Sequence, residues 1–338
     1  MYTIAIDAMG GDYAPDITVK GSVSALEAYD DLRVLLVGQA ERIQPLLAGA
    51  AGVMDRVTIV DAREVIENTE SPVMGVRHKT DSSLVRAIGF VREGEAQALV
   101  SAGSTGAVMA GGMFRLGRVQ GVERPALATP LPTAGGKQVL LVDVGANVDC
   151  LPEYLLSFAR MGSAYMRQVL GVENPRVALL GIGEEAEKGN QQTKAAYALL
   201  EASGLNFIGN LEARAVPMGE TDVIVADGFA GNILLKSMEG ITKAIFKLLK
   251  EELYATKRSK VGALLAKGAF DSLKKKLDPD EVGGAPLLGV NGALIKAHGN
   301  SNAHAFFCAI RQARSMLAGD VVEIIRREAN LSQEAAVP

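Results

Sequence analysis

The segment ALVSAGSTGAVMAGGMFRL, residues 98–116, decides the fold. It opens with a short apolar run suited to a buried strand. A turn of glycine and hydroxyl residues follows, Ser101 to Gly106, and residues 107–116 then read as a helix. A strand that closes into such a turn and opens a helix is the repeating unit of a parallel sheet. The rhythm extends both ways. Upstream, strands at 2–6, 32–37 and 57–60 alternate with helices at 16–29 and 40–47. Downstream, strands at 139–142, 176–180 and 223–226 are each followed by helical sequence, the first at 153–170. Alternation of this kind predicts a mostly parallel α/β sheet covered on both faces. Residues 1–330 read as one domain, with a basic excursion at 257–277 and a frayed tail at 331–338.

Composition narrows the function. The 37 glycines and 5% aromatic residues suit many tight strand-to-helix turns. A net charge of −4 excludes nucleic-acid binding by bulk electrostatics. The two cysteines, Cys150 and Cys308, form no CxxC and sit in no evident His cluster, so neither a zinc site nor a disulfide framework is expected. Reduced thiols fit the cytoplasm. The start, MYTIAIDAMGGD, lacks the basic and apolar regions of a signal peptide, and no apolar run is long enough to span a bilayer.

Open α/β sheets bind ligands at the carboxyl ends of their strands. Four such ends carry polar residues. The first is Ser101, Gly103, Ser104, Thr105 and Gly106, where backbone N–H groups and hydroxyls at a helix start suit a phosphate or an oxyanion. A capped tight turn explains the same residues. It is no Walker A loop, since the GK[ST] ending is missing, and no GxGxxG fingerprint. The others are Asp143 and Asn147; Glu184, Lys188 and Asn190; and Asp227 and Asn232. Each alone is explained by capping, but four ends are expected to meet in one cleft. A last cluster pairs Lys296 with His298, two residues apart and so on one strand face. Residues 257–276 hold seven Lys or Arg against Asp271, a charge of +6 that leaves about −10 for the rest. Apolar residues at 261, 265, 269, 273 and 277 interleave with them. Gly262 and Gly268 interrupt that stripe, so one helix and two short ones remain alternatives.

The blocks DAMGGDYAPD (7–16), SAGSTGA, LVDVGANVDC, GIGEEAEKGN, FIGNLEAR, DGFAGNILLK and GAPLLGVNGALIKAHGNSNA, in that order, resemble the bacterial phosphate acyltransferases. The resemblance covers about residues 2–327. It implies a Rossmann-like α/β/α sandwich related to phosphotransacetylases and isopropylmalate dehydrogenases, a homodimer, and no cofactor or metal. It implies transfer of a fatty acyl group from acyl carrier protein to inorganic phosphate, at the start of phospholipid synthesis. The product, acyl phosphate, passes to the next acyltransferase of the pathway. Two positions depart from the family: Ser104 replaces Asn, and Ala213-Arg214-Ala215 replaces Gly-Arg-Asp.

On that reading Lys188 supplies a positive charge, Asn232 and Asn190 donate hydrogen bonds, and the Ser101–Gly106 turn cradles phosphate. His298 orients phosphate or protonates the leaving thiolate. Asp143, Asn147, Glu184, Asp227 and Lys296 complete the expected substrate site. Lys257, Arg258, Lys260, Lys267 and Lys274, with Leu264, Leu265 and Phe270, are expected to dock an anionic membrane surface, as the resemblance implies, or acidic carrier protein. The competing readings are an acyl-CoA phosphotransacetylase, a non-catalytic acyl or phosphate-binding regulator, and an NAD-dependent decarboxylating dehydrogenase.

Overall fold

The computed structural model describes residues 1–334. Its strands are β1 (Tyr2–Asp7), β2 (Leu32–Gly38), β3 (Val57–Asp61), β4 (Ala98–Ser101), β5 (Ala126–Pro132), β6 (Gln138–Val142), β7 (Val177–Gly181), β8 (Phe207–Glu212), β9 (Val223–Val225), β10 (Gly284–Leu288) and β11 (Ala293–Ala297). Its helices are α1 (Asp16–Ala28), α2 (Ala40–Ile43), α3 (Pro72–His78), α4 (Ser83–Arg92), α5 (Thr105–Gly111), α6 (Pro152–Leu170), α7 (Gln191–Glu201), α8 (Gly228–Ala255), α9 (Lys257–Leu265), α10 (Lys267–Leu277), α11 (Ala303–Ala318) and α12 (Val321–Glu334).

The strands join in the order β3-β2-β1-β4-β11-β10-β5-β6-β9-β7-β8. Successive strand residues point to opposite faces, so each strand feeds two cores. Ile4, Ile6 and Val100 face one core with Val19 of α1, Phe158 of α6 and Phe306 of α11. Ala5 and Leu99 face the other with Ile88 of α4, Val108 of α5 and Leu234 of α8. The result is a three-layer α/β/α sandwich. Burial on both faces explains why the strands read as unbroken apolar runs.

The sheet departs from one expectation. β1 to β4 and β11 run parallel, and β6 to β9 run parallel to one another. Between them β10 is antiparallel to β11, β5 to β10, and β6 to β5. Three reversals turn the second group against the first. The carboxyl ends of β4 and β6 therefore point opposite ways along the sheet, and the four polar strand ends do not form one row.

Smaller differences have local causes. The helix expected at 107–116 starts earlier, as α5, and widens into a π-turn at Gly112–Leu116 after Gly111, a poor helix former. The helix expected at 40–47 is α2 followed by a 3-10 turn at Gln44–Leu47, where Pro45 lacks an N–H. Of the tail expected at 331–338, residues 331–334 belong to α12, and residues 335–338 lie outside the described residues. α8 spans 28 residues, about 42 Å at 1.5 Å each. Its buried residues are Gly228, Gly231 and Leu234, all in the first two turns. α9 and α10 bury none and are separate helices that meet at Ala266. The expected stripe at 261–277 therefore does not lie along one helix. From about residue 240 to 277 the chain forms an arm.

Candidate active site

Register places Asp7 of β1 beside Ser101 of β4, and Ser101 beside Lys296 of β11. Aligned residues of parallel neighbours face the same side, so the three form a row across adjacent strand ends. All three are buried. Asp7 Oδ2 accepts a hydrogen bond from Ser101 Oγ at 2.6 Å, and Oδ1 accepts from Ser83 Oγ, at the start of α4, at 2.6 Å. Burial raises the Asp7 pKa, and these hydroxyls oppose the rise. Burial lowers Lys296 to about 8, while the nearby Asp7 and Asp12 carboxylates pull it upward. Lys296 Nζ donates to the Ala297 carbonyl.

Three loops close over this row. Ser101 Oγ accepts from Gly103 N at 3.1 Å, and Asp12 N donates to Gly299 O at 2.8 Å. A side chain at Gly10 would put its Cβ 2.7 Å from Gly103 N, so glycine is required for the first two loops to touch. Ser104 stands at the start of α5 and makes no capping bond to it. Thr105 is exposed, and Gly103 and Gly106 are partly so.

α8 brings further groups. Asn232, Lys236 and Glu239 lie four and three residues apart and share one helix face. Asn232 Nδ2 donates to Val144 O at 3.1 Å. Lys236 Nζ lies 2.9 Å from Glu239 Oε2, and Glu239 Oε1 lies 3.9 Å from His298 Nε2. One helix face thus links the loop after β6 to the end of β11. The surrounding protein desolvates the His298 ring and lowers its pKa below the ordinary 6.5, with Lys236 acting in the same direction. The ring remains half exposed, which moderates the desolvation. Lys236 and Lys296 supply positive charge beside the Ser101 loop, and His298 adds its ring nitrogens.

The second set of strand ends is built differently. Asp143 Oδ1 accepts from Leu127 N, Gly145 N and Ala146 N, and Oδ2 from Asn147 N and Nδ2. The Asn147 amide also donates to Pro125 O at 2.8 Å. Both residues were expected to hold substrate; in the structure their polar atoms shape the 143–147 loop. Asp227 caps α8 through Ala230 N at 2.7 Å, and Asn190 caps α7 through Thr193 N at 2.9 Å. Lys188 and Glu184 are exposed on the loop after β7. β7 lies six places from β4 in the sheet, about 29 Å at 4.8 Å per strand. The structure brings Ser101, Lys296 and His298 together, with Asn232 on the bridging helix. It does not bring Lys188, Glu184 or Asn190 to them. Arg214, in the segment that departs from the family, pairs with Glu212 at 2.5 Å.

Cys150 is unsuited to covalent catalysis. Burial first and Asp143 second push its thiol up to about 12, and Sγ donates to Asn147 O at 3.4 Å. On the arm, Lys257, Arg258, Lys260, Leu264, Leu265, Lys267 and Lys274 are exposed and Phe270 is half-buried. Lys267 pairs with Asp271 at 2.5 Å. Ile241, Ile245 and Leu248 extend the exposed apolar surface back along α8.

Sequence reasoning missed Asp7, Ser83, Lys236 and Glu239. Asp7 and Lys236 lie inside DAMGGDYAPD and DGFAGNILLK, so their signal was present. Ser83 meets Asp7 across 76 residues, a contact no local pattern announces.

Residues 2–324 match the profile of a family described as "Fatty acid synthesis protein". The chain belongs to this family. Within it, a protein named phosphate acyltransferase from Geobacillus thermodenitrificans is 50% identical over 96% of this chain and 98% of its own length. Another of that name from Desulfitobacterium hafniense is 52% identical over 96% of this chain and 97% of its own. A phosphotransacetylase from Streptococcus pyogenes shares the fold, with a TM-score of 0.61 over 94% of both chains at 16% identity.

Proposed function

We propose that this chain transfers a fatty acyl group from acyl carrier protein to inorganic phosphate, giving acyl phosphate for phospholipid synthesis. The observation that carries the reading is the row Asp7–Ser101–Lys296, joined by Lys236 and His298, in a chain about 50% identical to proteins named phosphate acyltransferase. Phosphate is anionic near neutral pH and needs cations and N–H donors, and this cluster offers both.

Lys296, at about 8, is mostly protonated at pH 7 and supplies charge at the strand end. The partly exposed turn from Gly103 to Gly106 and Lys236 complete the phosphate site. A phosphate oxygen attacks the thioester carbonyl, a C–O bond forms, and the C–S bond breaks. With HPO₄²⁻ as nucleophile, its proton ends on the departing thiol, so no outside co-reactant is required. Holding two reactants in line and stabilising the oxyanion are then the main tasks. His298, with its lowered pKa, is neutral at pH 7 and better suited to orienting phosphate than to donating a proton. Asn232 has a second amide hydrogen to offer. Lys188, Glu184 and Asn190 stand apart, and full turnover of Lys188→Ala at saturating phosphate would remove Lys188 from the mechanism.

The arm is part of the same reading. Lysines flanking exposed Leu264, Leu265 and Val261 suit an anionic bilayer surface at the inner face of the membrane. Among the described residues no helix is long and apolar enough to cross a membrane. A homodimer is expected, and light scattering of the purified chain tests it.

The deciding experiment follows loss of the thioester from long-chain acyl-carrier-protein with and without phosphate, beside the matching acyl-CoA. Phosphate-dependent loss with the carrier protein, and poor use of acyl-CoA, is the expected result. Preference for acyl-CoA would replace the carrier by coenzyme A, and binding without turnover would end the catalytic reading.

A further inference from the structure

Away from the strand-end cluster, α11 carries His304 and Cys308 four residues apart, on one helix face. They meet Glu281, at the end of the 3-10 turn Pro279–Glu281. His304 Nε2 lies 3.1 Å from Glu281 Oε1 and 3.7 Å from Cys308 Sγ. The three ligand atoms all lie within 4.8 Å of one another, the one such group of His, Cys, Asp or Glu among the described residues. The sequence reading expects no metal site, because neither cysteine has a CxxC partner. The overlooked signal is the one-turn spacing of His304 and Cys308.

We propose that Glu281, His304 and Cys308 form a site for a zinc-class divalent cation, bound by one carboxylate oxygen, one imidazole nitrogen and one thiolate. The spacing fits. A tetrahedral centre with the usual Zn–N and Zn–S bonds separates nitrogen from sulfur by about 3.5 Å and nitrogen from oxygen by about 3.3 Å. The observed 3.7 and 3.1 Å lie within a few tenths of these. The donor set excludes magnesium and calcium, which take oxygen ligands, and suits zinc or cobalt. The His304 side chain is 53% exposed and Cys308 is buried, so the group opens to solvent on its histidine side.

Both elements are held in place. Arg311 Nη2 donates to the Glu281 carbonyl at 2.6 Å, and Asn302 Nδ2 to Asp280 Oδ2 at 2.6 Å. Phe307 stacks on the His304 ring at 6.0 Å. Gly283, at φ +90°, lets the turn lie against α11; a Cβ there would fall 2.7 Å from Cys308 Cβ. A site whose ligands are fixed beforehand binds with less ordering cost. Glu281 follows the end of α10 by four residues. A bound cation would tie the foot of the basic arm to the body of the sandwich. Coordination converts the Cys308 thiol to thiolate and releases its proton to solvent.

The test is titration of the untagged, metal-stripped full chain with Co²⁺ alone and then Zn²⁺. The expected result is one cation per chain, with tetrahedral visible bands and a thiolate-to-cobalt charge-transfer absorption that zinc displaces. Cys308→Ser abolishes the charge-transfer band, Cys150→Ser keeps it, and His304→Ala weakens binding by at least about tenfold. Zn²⁺ raises the Tm of the parent chain and leaves that of Cys308→Ser unchanged. Absence of the band at saturating Co²⁺, or stoichiometric binding that survives both Cys308→Ser and His304→Ala, would leave a hydrogen-bonded triad and overturn the proposal.

Discussion

Asp7 and Asp143 occupy matching places in the two halves of the sheet. Each stands at the end of a central strand, each is buried, and burial raises the pKa of each. Their partners differ. Asp143 takes five hydrogen bonds, four from residues 145–147 and one from Leu127. Asp7 takes hydroxyls from two distant elements besides backbone N–H groups of Met9 and Gly10, and lies one strand beyond Ser101 from Lys296. A carboxylate surrounded by its own loop builds that loop. A carboxylate held by distant side chains beside a buried lysine helps set that lysine's charge. Residue type and position along the strand are alike; the distant hydroxyls and the neighbouring buried lysine at Asp7 separate chemistry from scaffold.

The largest expected effect breaks the comparison from the Asp143 side. Asp143→Ala leaves five donors without their acceptor. Each buried unsatisfied donor costs about 1–3 kcal/mol, so the loss should exceed about 3 kcal/mol in urea unfolding. The phosphate KM of the folded fraction should stay near the parent value. A variant of parental stability would mean that the loop does not depend on Asp143. Next comes the Asp7 side. Ser83→Ala and Ser101→Ala each remove a 2.6 Å bond to a buried carboxyl, and each should cost about 1–3 kcal/mol. Only the second should also raise the phosphate KM, because only Ser101 adjoins the exposed loop.

The pH dependence sharpens the contrast further. Lys296 titrates near 8 when folded and near its ordinary 10.5 when unfolded. Between those values the unfolded chain holds more protons, so this residue makes stability rise with pH from about 8 to 10.5. Phosphate binding should fall around pH 8, where folded Lys296 loses its charge. Asp7 pulls the Lys296 pKa upward, so Asp7→Asn should move that fall to lower pH. An unmoved limb in the kcat/KM profile would show Asp7 uncharged in the working enzyme. The smallest effect on the site is expected from the arm. Leu264→Glu with Phe270→Glu should abolish flotation with anionic vesicles, where burying each apolar side chain contributes about 1.5–3 kcal/mol. Unchanged flotation with a raised KM for acyl carrier protein would assign the arm to the carrier instead.

Much of this was legible in the sequence. The strand–turn–helix at 98–116 predicted the layered sheet because local periodicity carries that information. Ser101, Lys296 and His298 could be picked as strand-end polar residues, and the two-helix alternative for 257–277 is the one observed. The reversal of the second half was not legible. It depends on Leu287 pairing with Leu127 and Leu288 with Ala126, contacts between segments far apart in the chain. Lys188 would join the cleft only if all strand ends pointed one way, and β7 runs against β4. Asp143 and Asn147 looked like ligand residues because a sequence shows the acceptor but not its donors.

The most direct test titrates phosphate against Lys296→Met, following thioester loss from acyl-carrier-protein. The expected result is a folded enzyme whose phosphate KM rises at least about tenfold while the KM for the carrier is unchanged. A parental phosphate KM in that variant would contradict the assignment of the Asp7–Ser101–Lys296 row as the phosphate site.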